Sequence, residues 1–257
     1  METAPPPTAP VAAKPRRWPW IVGAVVAIVV LLIGGFGTFV WIKSGVRIHA
    51  FVCPSCAGFA GISDHIYVEN GASADQRQAA LAAVADGEAR VRDFFGQQEG
   101  HPRFFICVTD GCYARFKLGT SLGSQFLFSA IALSSRGANG VIAAHEATHV
   151  EMAARVGMTN YYGGTIPEWF KEGLAVVVAK DARYLPPAVP QDCDAKPEDL
   201  PRTNRYWGPA AAKDHMLYAD AACLVRRELK TDGGTPALLS AFDRVKRGDN
   251  FNQIWKQ

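Results

Sequence analysis

His145-Glu146-Ala147-Thr148-His149 decides how this 257-residue chain is read. Two imidazoles four residues apart lie on one face of a helix, where they can grip a single metal ion, and a carboxylate stands beside the first. The helical reading rests on periodicity. Ile142, His145, His149, Met152 and Val156 recur at steps of three and four, while Glu146, Glu151 and Arg155 fall elsewhere on the wheel. The histidines therefore point inward. Two imidazoles in an apolar seam would each need a hydrogen-bond partner, and one shared zinc ion satisfies both.

A hydrolytic zinc site takes three protein ligands and leaves a position open, so a third ligand is sought downstream. Glu172 is the best candidate. Gly163-Gly164 interrupts the chain, and Thr165 with Glu168 reads as a capping box that opens a second helix, with Pro167 in its first turn. Along that helix Trp169, Glu172, Gly173 and Val176 share a stripe, which turns the Glu172 carboxylate inward, where it needs a cation. Gly173 costs about 1 kcal/mol in a helix interior. That cost makes sense if the backbone passes close to the first helix. The alternative for Glu172 is an exposed partner of Lys171 or Lys180.

With Pro167-Glu168-Trp169-Phe170-Lys171-Glu172-Gly173-Leu174-Ala175 following it, the histidine motif resembles the gluzincin metallopeptidases. The likeness is closest to the peptidase MA-like group, whose pattern joins HExxH to a later W-x-x-E-G-x-A helix. It covers residues 138–180 strongly and 209–230 weakly, and the first half of the chain carries no motif of the family. The resemblance implies His145, His149 and Glu172 as ligands of a zinc ion and Glu146 as general base toward the attacking water. Position 176 is a valine, so a thermolysin-like aspartate four residues after the third ligand is missing, and the group that orients the ligands is left open.

The same resemblance implies an oxyanion donor from a tyrosine on a later helix. Residues 209–230 read as one helix with a stripe of His215, Tyr218, Ala222, Val225 and Leu229; Tyr218 is the candidate donor and His215 the runner-up, with a locally satisfied core tyrosine as the alternative. Peptide substrates of such enzymes pair with an edge strand. Residues 125–133, just before the first metal helix, have strand composition and are read as such an edge or as an ordinary core strand. Tyr161-Tyr162 beside Gly163-Gly164 is a candidate substrate-side loop, loop aromatics having many other uses.

Residues 21–40 carry no charge and suffice to cross about 30 Å of hydrocarbon at 1.5 Å per residue. With Trp18, Trp20 and Trp41 as interfacial aromatics, residues 18–42 are expected to form one transmembrane helix, the alternative being a buried soluble helix. Lys14, Arg16 and Arg17 before the span outnumber Lys43 and Arg47 after it, and all six cysteines follow it. Both features favour a cytoplasmic N-terminus, with residues 1–17 a disordered tail and 43–257 an extracytoplasmic metallopeptidase domain, periplasmic in a Gram-negative source.

Local spacing pairs Cys53 with Cys56, Cys107 with Cys112 across the turn at Asp110-Gly111, and Cys193 with Cys223. Cys53-Pro54-Ser55-Cys56 is read as a structural disulfide; a redox pair, or a second zinc knuckle shared with Cys107 and Cys112, are the alternatives. Setting aside Glu2, Lys14, Arg16 and Arg17 leaves 24 basic and 23 acidic residues, which offers nucleic acid no footprint.

Residues 73–95 read as a helix opened by Ser73 and Gln76, striped by Leu81, Val84, Val91 and Phe95, and closed by Gly96; residues 103–109 read as a strand. The proline-rich stretch 186–201 is expected to be an ordered cover pinned by Cys193 that gates the cleft. The order of elements predicts an α+β domain in which a small mixed sheet packs against the zinc-binding helices. Expected function is a membrane-anchored zinc metallopeptidase acting on peptides or proteins. The rivals are a non-catalytic zinc-stabilised binding or sensor domain and a CxxC thiol oxidoreductase.

Overall fold

A computed structural model describes residues 18, 22–23, 25–31, 45–185 and 195–255. The chain divides into two units, Met1–Ser44 and Gly45–Gln257. In the first, residues 22–23 and 25–31 are helical. Among the described residues no helix is long and apolar enough to cross a membrane. Most of the expected span at 18–42, the expected tail at 1–17, and Cys193 with the first part of the expected cover lie outside the described residues.

The second unit is α+β, as expected. A short helix α1 (Arg47–Val52) and a 3₁₀ turn (Ser55–Ala57) lead into β1 (Phe59–Gly61) and β2 (Ile66–Glu69). Helix α2 (Ala74–Phe95), strand β3 (Arg103–Ile106) and the short α3 (Asp110–Ala114) follow, then β4 (Gly123–Phe126) and β5 (Ala130–Leu133). The sheet is mixed, in the order β1-β2-β3-β5-β4, with β2, β3 and β5 parallel and the two outer strands antiparallel to their neighbours. Because side chains alternate along a strand, the sheet divides the interior in two. Phe104, Ile106, Ile131 and Leu133 face the helical core, while Phe105, Cys107, Ala130 and Ala132 face a smaller cluster with Ala50, Phe59 and Phe116.

Ser73 accepts from the Gln76 N–H and Gln76 answers to the Ser73 N–H, so the expected capping box fixes the start of α2, and Gly96 ends it. That helix crosses the central helix α4 (Gly140–Val156) at Gly87, where a Cβ would come within 2.7 Å of the Ala143 Cβ. Helix α4 begins at Asn139, whose side chain accepts from the Ile142 N–H. Its off-seam residues are not at the surface. Glu151 is fully buried and accepts from the N–H groups of Glu99 and Gly100 and from the Arg155 guanidinium, fastening the preceding loop to the helix.

After α4 come α5 (Met158–Tyr162), α6 (Glu168–Ala179), α7 (Asn204–Lys213), α8 (Leu217–Thr231), α9 (Gly234–Lys246) and α10 (Phe251–Ile254). Several expectations need correction here. The Thr165–Glu168 box does not form: Pro167 occupies the cap position of α6 and no side chain caps it. The Glu168 N–H donates to the Arg202 carbonyl instead, and its side chain turns inward to a buried ion pair with Lys171. Gly173 does mark a close approach, but to α8 and not to α4; a Cβ there would lie 2.6 Å from the Ala221 carbonyl carbon. Residues 209–230 form two helices broken at 214–216. Residues 125–133 form not one strand but the β4–β5 hairpin, with β4 at the sheet edge. Asp110-Gly111 opens a helical turn capped by the Thr109 hydroxyl.

Cys53–Cys56 and Cys107–Cys112 are disulfides. Cys223 is also disulfide-bonded, and its expected partner lies outside the described residues.

Candidate metal centre

Helices α4 and α6 bring the three candidate ligands together. The Nε2 of His145 lies 3.2 Å and the Nε2 of His149 3.7 Å from the same Glu172 carboxylate oxygen. One ligand atom from each residue falls within a 4.8 Å group. Glu172 is thus not an exposed partner of Lys171 or Lys180; Lys171 is engaged by Glu168. Residue 145 precedes 149 by one helical turn, which stacks the two rings edge to face at 5.1 Å.

The question of what orients the ligands has an answer for His149. Its Nδ1 hydrogen-bonds the Tyr161 hydroxyl at 2.8 Å in a buried setting. With Nδ1 occupied, the ring can offer only Nε2 toward Glu172. Tyr161 comes from α5 and is 4% exposed, whereas Tyr162 is half exposed; the tandem is therefore split between an orienting group and a cleft wall, and not a substrate-side loop as a whole. The Lys171 ammonium sits 4.6 Å from the Tyr161 ring centroid. Nothing in the order of residues announces Tyr161, which reaches His149 only because Gly157 turns the chain back after α4.

Charge in the centre follows from this crowding. Burial opposes the ionised form of Glu172, but His149 and His145 outweigh it and hold the carboxyl well below the usual carboxylate range. Burial likewise opposes a charge on His149, yet Glu172 raises its pKa. Glu146 is pushed upward by burial, an effect the two histidines only partly offset. Two imidazole nitrogens and one carboxylate oxygen, converging with one ring orientation already fixed, fit a zinc ion by donor type and number.

Glu146 lies beside the ligand cluster at the foot of β4. A Cβ on Gly123 would come within 2.9 Å of the Glu146 Cγ. His145, Glu146, His149 and Glu172 line a cavity of about 800 Å³, one wall of which is residues 123–128 of the edge strand and its turn. A second cavity of about 840 Å³ adjoins it through His145 and Glu146.

Tyr218, in the first turn of α8, lines both cavities, with its ring 6.2 Å from that of His145. Tyr184 stacks on it at 5.1 Å and Trp207 meets it edge-on at 5.3 Å. Burial, reinforced by the Glu172 charge, pushes the Tyr218 phenol far up, so it keeps its proton across the physiological range. His215 is exposed in the turn before α8 and lines only the second cavity. The helical stripe that grouped it with Tyr218 is broken at that turn. A second three-residue group of metal-binding type, Glu69 with Cys107 and Cys112, does not form a knuckle: the cysteines are joined to each other, and Glu69 accepts from the Val108 and Thr109 N–H groups and the Thr109 hydroxyl. Comparison of the chain with protein-family models, with curated proteins and with solved structures finds no match.

Proposed function

We propose that this chain is a zinc-dependent metallopeptidase of gluzincin type that hydrolyses peptide bonds, with His145, His149 and Glu172 holding the metal and Glu146 as general base. The observation that carries this reading is the convergence of the three ligands from two helices onto one point of an open cleft, with a fourth, non-ligating carboxylate beside them. When bound there, zinc supplies Lewis acidity that polarises the scissile carbonyl and acidifies water.

The chain's own groups account for the remaining work. Glu146 accepts the proton of the attacking water and returns it to the leaving amine, a role suited to a carboxylate whose burial raises its affinity for protons. Tyr218, kept protonated by burial, donates to the oxygen on which charge develops. Strand β4, which is an edge of the sheet among the described residues, offers main-chain hydrogen bonds to an extended peptide and lays it across the paired histidines. Trp207, Tyr218 and Tyr184 wall the site against bulk water.

A non-catalytic zinc domain would need neither the cleft nor Glu146, since structural sites are closed by four ligands. The sequence of residues 18–42 supports a single-pass membrane tether for this enzyme and an extracytoplasmic catalytic domain, acting on peptides or proteins of that compartment.

The test is metal analysis of the purified protein together with cleavage of a mixed-peptide pool by wild type and Glu146→Gln. The expected result is one zinc per chain in both proteins and fragments from wild type alone. Equal fragmentation by the variant would remove Glu146 from its role, and wild-type protein that binds no zinc would end the reading.

A further inference from the structure

The turn that joins β4 to β5 is built from residues ill suited to its backbone. Leu127 and Phe128 adopt φ of +43° and +69°, the left-handed region that favours glycine and asparagine. Neither side chain gains burial in return: Leu127 is 37% and Phe128 56% exposed. The turn is nonetheless firmly held. The Ser129 N–H donates to the Leu127 carbonyl, the Gln125 side-chain amide donates to the Phe128 carbonyl at 2.7 Å, and the Arg103 N–H donates to the Ser129 carbonyl. Large apolar side chains kept in a disfavoured conformation at the rim of a cleft point to a use outside the core.

Two further observations say what that use is. Phe128 meets the half-exposed Tyr162 edge to face at 5.4 Å, and both line the cavity that holds His145, Glu146 and Glu172. They form an apolar wall at one end of the cleft. The adjoining cavity, at the Gly123 end, is lined by Arg136 and Arg183; Arg136 is exposed and Arg183 is braced by Asp181. The turn end of the cleft is therefore aromatic and the Gly123 end carries two arginines, one of them paired with Asp181, while Arg202 also lines the first cavity and Glu146 lines both.

We infer that Phe128 and Tyr162 form a specificity subsite for a large apolar side chain, aromatic or leucine-like, on the amino-terminal side of the scissile bond. The inference rests on the metallopeptidase reading. Strand β4 runs from Gly123 beside Glu146 to the Leu127-Phe128 turn, so a peptide paired antiparallel to it has its amino-terminal half over the turn. Its carboxyl-terminal half then runs toward Arg136, whose exposed charge suits a chain ending in a carboxylate.

The first arm of the test sequences the fragments that wild type and Phe128→Ser release from a mixed-peptide pool. Wild type is expected to enrich Phe, Leu, Tyr or Met upstream of the cut, and the variant to lose about tenfold of that preference, the scale on which an apolar pocket discriminates. An unchanged preference in the variant, or enrichment only downstream, overturns the subsite. The second arm needs no turnover. Glu146→Gln protein is titrated by tryptophan fluorescence, Trp207 lying in the cavity, with two peptides that differ by Phe or Ser at one position. Tighter binding of the Phe peptide, abolished by adding Phe128→Ser, supports the subsite even if no cleavage is seen; equal binding overturns it. Replacing the turn by Leu127→Asn with Phe128→Gly is expected to raise the melting temperature while erasing the preference. A lower melting temperature would refute the claim that the turn is strained.

Discussion

Tyr161→Phe is the sharpest perturbation of the candidate metal centre, because it removes one oxygen and leaves the ring. The side chain of Tyr161 is 4% exposed and its hydroxyl lies 2.8 Å from the His149 Nδ1, so the bond that is lost is a largely buried one. In the variant the ring keeps its place under the Lys171 ammonium and Nδ1 faces a methine. Loss of a buried partner costs about 1–3 kcal/mol, and loss of the group that orients a metal-ligating histidine weakens metal affinity about 10- to 100-fold. The two scales agree, since a factor of ten corresponds to about 1.4 kcal/mol. The assay is a competition titration of zinc against a chromophoric chelator, with Tyr162→Phe as the control because Tyr162 is half exposed and it is the Tyr161 hydroxyl that bonds His149. Zinc affinity of Tyr161→Phe within about threefold of wild type, roughly 0.7 kcal/mol, would refute the assignment of Tyr161 as the orienting group.

Gly173→Ala is expected to destabilise the fold even though alanine is the better helix former by about 1 kcal/mol; the new Cβ collides with the Ala221 carbonyl of α8, and overpacking near the upper end of its usual range, about 3 kcal/mol, leaves a net loss of about 2 kcal/mol in urea denaturation. A gain in stability would show that the helices can part at no cost. Glu228 gives a pH signature: burial pushes its carboxyl up to about 7 from 4.5, while the Trp255 indole N–H donates to one oxygen and the other has no partner among the described residues. Below pH 4.5 folded and unfolded chains both hold the proton. Between 4.5 and 7 only the folded chain holds it, so stability falls as pH rises, by about 3 kcal/mol in all at 1.36 kcal/mol per unit. Glu228→Gln should flatten that difference between denaturation curves taken at pH 5 and pH 8; a parallel decline in the variant would assign the pH dependence elsewhere.

Local signals were legible wherever a single helix or a short loop settled them. Ser73 and Gln76 cap α2 as their spacing requires, the stripe from Ile142 to Val156 is the central helix, and two close cysteine pairs are bonded. The candidate ligands could be named because a buried histidine or glutamate demands a partner, and that demand is written in the periodicity.

What stayed hidden depends on how elements meet. The turn at Leu127-Phe128 lacks the glycine or asparagine that would mark it, so residues 125–133 read as one strand. The spacing of His215, Tyr218 and Ala222 continues a helical stripe across a break that only tertiary packing imposes. Gly173 signalled a close neighbour without saying which helix it was. Tyr161 carries no periodic mark at all.

Most of the central helix is committed to packing that does not involve its histidines. Ala143, Ala147, Val150, Met152, Ala153 and Val156 fill the core, and Glu151 ties down residues 99 and 100. The scaffold of the site should accordingly assemble before any cation arrives, unlike small zinc modules that are unfolded without their ion. On the proposed reading, metal loading is then a step that follows folding, so that supply of the ion, not synthesis of the chain, would set how much of the protein is competent at a given moment.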